Sequence, residues 1–561
     1  MQTGEYTANI KNGFKYTFKR NAKKIIQNFK MPEKDIEKKQ YYSYLAIPIQ
    51  KNYVFYEAFS GLGILDNPRA VFLQLLEDNS FENFTHIWSI ADMDMAKDNL
   101  KEFENLPNVK FVKRESEEYY RYLASSKYLV SNSTFGYFFT KRPEQIYINT
   151  WHGVPTKYMG YDHTVERVEN ARGPARNFLA ADYIVSANKF MTEVMYRNSY
   201  KLDGLFQGKI LETGHPRSDL LINADSEKVY TKLRNVGLKT DKKIILYAPT
   251  WKGTLYNQLE YDVTEFKETI KKFSDNIDQT EYRIYLRVHY FLYKILADDP
   301  ELKEILVPFT IDTNELLSVV DILISDYSSI FFDFLITKRP MIFYAPDLKE
   351  YESGRGLYVP TDTLPGLVSC SLDEVASSLD VICKNREEYL EFYEPMWQEM
   401  ASWCIYNDDG LSTKRLVNIV FKDYSYLSSK THNIVDGFGN KKKKILICVN
   451  SKQKDASFWD SFTAGLERYN YNTTDVTVLV TAFQDEKTKE YFNTLPKNVR
   501  VLVWYALPFV AKETKRFYDR EAVRALGNAT FDEVRVEGDI TEYWAAFANN
   551  LNRSSKLQPW E

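Results

Sequence analysis

The chain has 561 residues, 44% of them apolar and 15% aromatic, which gives room for roughly three or four packed domains and excludes a disordered polypeptide. Lys plus Arg number 73 against 77 Asp plus Glu, and the net charge of −4 excludes a protein that coats nucleic acid by bulk electrostatics. Four scattered cysteines without a Cys-x-x-Cys pair favour reduced thiols over disulfides or a structural zinc, and neither a signal peptide nor a run of about 18 apolar residues is visible.

Residues 1–40 stand apart. Between Lys11 and Lys30 there are seven Lys or Arg and no acid, while Phe14, Phe18, Ile25, Ile26 and Phe29 recur at helical spacing. Such a basic amphipathic helix is expected to lie on an anionic membrane surface through residues 11–31, each cation near the surface adding about 1 kcal/mol. The alternative is a solvated helix docked on its own domain.

From residue 41 to 222 short β-rich runs alternate with helical ones. Strands are predicted at 47–58, 85–90, 109–112, 128–131, 145–149 and 183–186, with helices at 67–77 and 115–125. Residues 223–422 repeat the pattern, with strands at 243–248, 283–288, 305–309, 322–325 and 341–344 and helices at 262–273, 313–319 and 329–337. Strands separated by helices imply parallel sheets covered on both faces. The fold class is therefore α/β, with two Rossmann-like domains facing each other across a cleft. Residues 423–440 read as a linker. Residues 441–561 begin a third, partial Rossmann-like unit, with strands at 445–449, 476–480, 499–504 and 531–536 and a helix at 458–469.

The candidate chemistry sits where strands end. His152, one of six histidines, follows the run Ile146–Asn149 in a turn built from Gly153 and Pro155. In an open α/β sheet that is where ligands bind, although a structural histidine fits the same letters. A second stretch, Tyr285-Leu-Arg-Val-His289, places Arg287 on the same face of its strand as His289. Ser325-Asp-Tyr-Ser-Ser329 joins an apolar strand to an apolar helix, so Ser325, Asp326, Ser328 and Ser329 are either phosphate ligands at a helix N-terminus or ordinary caps. Asn67-Pro68-Arg69 is sound capping grammar, and Arg69 also offers a planar fork to a phosphate. His86, His163, His215 and His432 are not assigned to the chemistry. No His, Asp or Glu grouping has metal-ligand spacing, and a Mg²⁺ held loosely on a pyrophosphate is compatible with the sequence.

Six motifs in order carry a resemblance: Tyr56-Glu-Ala-Phe-Ser-Gly61 with Asp66-Asn-Pro-Arg-Ala70; Asn149-Thr-Trp-His-Gly-Val-Pro-Thr-Lys157; Gly214-His-Pro-Arg-Ser-Asp219; Tyr247-Ala-Pro-Thr-Trp-Lys-Gly253; Ser325 to Asp333; and Phe343 to Tyr351. Residues 50–420 thereby resemble the CDP-glycerol glycerophosphotransferase family, the teichoic acid polymerases. The resemblance implies a GT-B architecture, a CDP-glycerol or CDP-ribitol donor, and a lipid-linked or polymeric acceptor at the cytoplasmic face of the membrane. It also implies His152 as base on the acceptor side and His289 on the donor phosphates. Arg287, Ser325, Asp326, Ser328, Ser329, Thr250, Trp251, Glu350 and Arg355 are then donor-site candidates, and Asn67, Arg69, Gly153 and Lys157 acceptor-side ones. Residues 441–561 resemble the opening half of a GT-B sugar transferase whose donor half does not follow before Glu561, so the unit is expected to be cut short or accessory, and inactive alone. A GT-B glycosyltransferase using a nucleotide sugar, or a non-catalytic module binding anionic polymer or membrane, remain the competing functions, because fold alone does not separate them.

Overall fold

The computed structural model describes residues 40–164, 166–250, 263–423, 433–437, 441–450, 455–481, 486–504, 531–536 and 557–559. The basic segment 11–31, Trp251 and His432 lie outside them. Among the described residues no helix is long and apolar enough to cross a membrane.

The first sheet is built from β1 (Gln50–Glu57), β2 (Thr85–Ile90), β3 (Val109–Lys113), β4 (Ser126–Ser131), β5 (Ile146–Asn149), β6 (Tyr183–Ser186) and β7 (Lys209–Glu212). The second contains β8 (Lys243–Tyr247), β9 (Tyr282–Leu286), β10 (Val320–Ser325), β11 (Met341–Tyr344) and β12 (Leu367–Ser369). In the first sheet β4 and β2 flank β1 and the seven strands are parallel. The second runs β12-β11-β10-β8-β9, also parallel. Parallel strands need coverage on both faces, and the side chains comply. Phe55 enters one apolar layer while Val54 and Tyr56 enter the opposite one; Ile245 and Tyr247 face away from Ile244 and Leu246.

Three segments depart from expectation. Residues 305–309 make only the isolated bridge Leu286–Leu306, because Leu286 exchanges bonds with Ile305 and Val307 and the next residue, Pro308, has no N–H to continue a ladder. The stretch expected as linker supplies β13 (Asn433–Asp436), an antiparallel edge strand on β7. Before it, the helix Ser412–Val420 packs Leu416, Val417, Ile419 and Val420 into the first lobe with Val54, Tyr56 and Phe72. The chain thus crosses to the second lobe and returns.

The third sheet comprises β14 (Lys443–Asn450), β15 (Thr474–Thr481), β16 (Arg500–Trp504), β17 (Glu533–Val536) and β18 (Leu557–Pro559), all parallel. It docks on the first lobe largely through cations bonded to carbonyls. Arg500, 3% exposed, donates Nε to Lys201 O at 2.6 Å and Nη2 to Asp203 O at 3.2 Å while pairing with Asp475 at 3.0 Å. Tyr161 donates its hydroxyl to Val501 O at 2.7 Å. Arg500→Ala removes the ion pair that Arg500 makes with Asp475 together with its bonds to the Lys201 and Asp203 carbonyls, a loss of about 3–5 kcal/mol for a buried pair. The expected result is an earlier-melting third unit in thermal unfolding of the full chain.

Candidate active site

Every strand that carries a candidate residue presents it at its carboxyl end. His152 follows β5, Asn132 follows β4, Phe59 follows β1 and Arg217 opens the helix Pro216–Ile222 after β7. From the second lobe, His289 follows β9, Thr250 follows β8 and Asp326 to Ser329 follow β10.

Arg217 is the hub. It is 5% exposed, and its fork grips Asp333 through Nε–Oδ1 at 3.0 Å and Nη2–Oδ2 at 2.8 Å. Its third nitrogen, Nη1, donates to Asp66 Oδ2 at 2.9 Å and to the His152 carbonyl at 2.6 Å. One guanidinium thereby joins the first lobe, the second lobe and the loop bearing the histidine. Burial disfavours the charge of Arg217, but Asp333 and Asp66 outweigh that and raise its proton affinity; burial pushes the Asp333 carboxyl up to about 6 against the opposing pull of Arg217.

Asp66 extends the hub to the imidazole. Its Oδ1 accepts from Asn132 Nδ2 at 2.9 Å, and Asn132 Oδ1 accepts from Phe59 N at 2.8 Å. His152 Nδ1 lies 2.7 Å from the Asn132 carbonyl. A carbonyl only accepts, so Nδ1 carries the hydrogen and the lone pair resides on Nε2, which has no hydrogen-bond partner among the described residues. Trp151 stacks on the ring with centroids 4.4 Å apart, and Phe59 approaches to 5.7 Å. Burial holds the His152 imidazole below its ordinary proton affinity, with the Asn132 carbonyl and Asp66 working against that.

His289 is exposed to solvent yet flanked by protein, and partial desolvation lowers its proton affinity first, the charges of His152 and Lys157 adding to it. Gly153, at φ +152°, sets the spacing: a Cβ there would stand 2.8 Å from Ser329 Oγ and 3.2 Å from Arg217 Nη2. Ser329 makes no side-chain cap to its own helix, which leaves its hydroxyl at this lobe junction.

Several predicted ligands turn out to be braces. Asn67 is fully buried, donating to Trp151 O at 2.9 Å and accepting from Arg217 N at 2.9 Å. Arg69, 2% exposed, is neutralised by Glu315 at 3.0 Å and Glu102 at 3.3 Å, so it offers no fork to a polymer phosphate. Arg287 spends its donors on the carbonyls of Pro308, Phe309 and Ile311 and on Thr313 Oγ1, clamping the loop that leads to Asp312. Burial lowers its proton affinity to about 10, with Asp312 opposing. Ser325 is 1% exposed and donates to Ala248 O at 2.9 Å. Asp326 accepts from Thr250 N at 2.7 Å, Thr250 Oγ1 at 2.8 Å and Ser328 N at 3.1 Å, so it orients neighbours. Glu350 is exposed on the helix Leu348–Gly354. Lys157, expected with the acceptor group, reaches the second lobe, bridging antiparallel to Leu357 with its ammonium 5.3 Å from the Tyr351 ring centroid. Sequence reasoning passed over Arg217, Asp333, Asp66 and Asn132, although three of them stand inside the quoted motifs; a carboxylate within the apolar run Ile330–Phe334 was the available signal.

With this geometry in view, comparison with known proteins identifies the chain. Residues 39–422 match the family model described as CDP-glycerol:poly(glycerophosphate) glycerophosphotransferase. The chain belongs to this family. It is 31% identical over 387 residues to the teichoic acid poly(glycerol phosphate) polymerase of Bacillus spizizenii, covering 66% of this chain and 92% of that protein. The polymerase of the same description from Staphylococcus epidermidis is 30% identical over 382 residues, but the chain spans only 50% of its length. The teichoic acid ribitol-phosphate polymerase TarK of Staphylococcus aureus is 27% identical over 289 residues, 50% of this chain and 53% of that protein. A solved structure of the wall teichoic acid polymerase TagF superposes with a TM-score of 0.59 at 27% identity, covering 74% of this chain and 98% of that one; another TagF structure is of a variant with CDPG.

The contact between lobes yields a prediction. Gly153→Ala forces a Cβ into Ser329 and a backbone angle that alanine avoids, so kcat/KM with CDP-glycerol should fall about 100-fold by misplacement alone. Steady-state kinetics beside a thermal melt would check it, the melt shifting far less than the rate.

Proposed function

We propose that this chain transfers glycerol phosphate from CDP-glycerol to a hydroxyl of a polymeric or lipid-linked acceptor, releasing CMP, as a step in teichoic acid or capsule-type polymer synthesis. The observation that carries the reading is His152: its Nδ1–H is tied to a carbonyl, its Nε2 is left as a lone pair, and the Ser329 hydroxyl of the other lobe stands against the adjoining Gly153. The two lobes work in the GT-B manner, the first receiving the acceptor and the second the donor.

The chemistry follows from those groups. The acceptor hydroxyl gives its proton to His152 Nε2 while its oxygen attacks the phosphorus that bears glycerol. The bond from that phosphorus to the CMP oxygen breaks, and the electron pair leaves with CMP. A neutral imidazole is required, and burial keeps His152 neutral at cytosolic pH. His289, open to solvent at the second sheet, contacts the donor phosphates, and Ser329 Oγ adds a donor hydrogen bond. Positioning and charge stabilisation supply most of the rate in phosphoryl transfer.

Glycerol is favoured over ribitol because relatives described as acting on glycerol phosphate match at 28–31%, whereas ribitol-phosphate polymerases match at 24–27%. Attachment to the cytoplasmic face of the membrane through residues 11–31 rests on their seven cations and apolar stripe. Incubating the full chain with CDP-glycerol, CDP-ribitol or a UDP-sugar panel plus a lipid-linked acceptor should release CMP from CDP-glycerol and no UDP. His152→Ala should lower CMP release about 100- to 10,000-fold without loss of fold. UDP release, or His152→Ala at full activity, overturns the reading.

A further inference from the structure

The family match ends at residue 422 and assigns no role to the third sheet, which begins at Lys443. That sheet holds the stretch of chain that leaves the site. From His152 and Gly153 the backbone runs through Thr156 to a 3₁₀ turn, Gly160–Asp162, and then into the helix Arg167–Ala180. The first lobe, the second lobe and the third unit all grip it.

The second lobe takes one side. Tyr358 N donates to Thr156 O at 2.8 Å and Tyr158 N to Gly356 O at 3.1 Å, a short antiparallel ladder, and the Tyr358 hydroxyl accepts from Met159 N at 3.1 Å and donates to Asp162 Oδ2 at 2.7 Å. The first lobe backs the turn: a Cβ on Gly160, at φ +52°, would stand 2.7 Å from Ser199 O. The third unit takes the remaining side. Tyr161, 4% exposed, donates its hydroxyl to Val501 O of β16 at 2.7 Å, and the Lys201 ammonium lies 4.6 Å from the Tyr161 ring centroid while donating to Val499 O at 3.0 Å. Beyond the turn, Arg167, 7% exposed, donates to the carbonyls of Phe492, Asn493 and Leu495 at the end of the helix Glu486–Thr494, where a cation complements the helix dipole. Tyr161 and Asp162 are neighbours in one turn. At about three residues per turn their side chains diverge by about 120°, so the same turn presents Tyr161 to β16 and Asp162 to Tyr358. With Gly160 pressed on the Ser199 carbonyl, neither side chain can swing without the other.

We propose that the third unit positions the transferase lobes, with Tyr161 as the positioning residue: held by β16, it fixes the turn Gly160–Asp162, aligns Asp162 with Tyr358, and so seats the second lobe against the loop that bears His152. The effect on rate rests on the CDP-glycerol reading; the effect on the loop rests on the hydrogen bonds alone. Tyr161 acts without touching substrate. Its hydroxyl is the link between a sheet outside the family match and the ladder that follows Gly153.

The test is a double-mutant cycle on the full chain, read by amide hydrogen exchange at residues 158–162 and by kcat/KM for CMP release. Tyr161→Phe, which removes the hydroxyl and keeps the ring, should speed exchange about fivefold and lower kcat/KM about fivefold, the size expected for one lost hydrogen bond. Tyr358→Phe should have an effect of similar size. Adding Tyr161→Phe to Tyr358→Phe should then cost less than about twofold more, because the two bonds act in series. Losses that multiply make Tyr161 a structural residue only and overturn the proposal. Unchanged exchange at 158–162 in Tyr161→Phe overturns it as well, whatever the rate does. Failure of the wild type to release CMP overturns the transfer reading, and the exchange cycle then decides the coupling by itself.

Discussion

A single buried guanidinium constrains most of what this molecule can do. Arg217 lies among Asp66, Asp333 and the His152 carbonyl, where removing charge from water costs several kcal/mol per ion and is offset only by near-ideal partners. Its planar fork satisfies Asp333 bidentately and leaves one nitrogen for the first lobe, an arrangement lysine cannot reproduce. Buried ion clusters are poor sources of net stability. What this one supplies is geometry: lobe separation, loop position and imidazole tautomer all follow from the same set of bonds.

The backbone around His152 is held against its own preference. Phe59, Ser60, Asp66 and Trp151 have φ of +47°, +57°, +61° and +48°, each costing of order 1 kcal/mol or more in a non-glycine residue. The strain is tolerated because the hub fixes it: Asp66 N donates to Asp312 Oδ2 at 2.6 Å, Phe59 N to Asn132 Oδ1 at 2.8 Å and Trp151 N to Asn149 Oδ1 at 3.0 Å. Sequence, local conformation and site are linked here by residues that never need to touch a substrate.

The alternation of β-rich and helical runs was enough to read the parallel sheets, and the rule that ligands gather at strand carboxyl ends singled out His152 as a candidate. Burial was not legible. Arg69, Arg287 and Asn67 have the letters of phosphate ligands, yet their partners are Glu315, the 308–311 carbonyls and the Trp151 carbonyl, groups far along the chain. The helix Ser412–Val420 shows an apolar face without showing which lobe it covers, and 433–436 is too short and polar to announce an edge strand. Arg217 and Asp333 stood in the motifs but, being 116 residues apart, gave no sign of each other.

The central claim is that the Arg217 network presents His152 as a neutral base with its lone pair on Nε2. Nitrogen-15 spectra of histidine-labelled protein at pH 7, with the His152 signals assigned by comparison with His152→Ala, test it most directly. The account predicts a protonated Nδ1, an unprotonated Nε2, and a titration below the ordinary value of about 6.5. An Nε2–H tautomer, or a ring that is already cationic at pH 7, would contradict it.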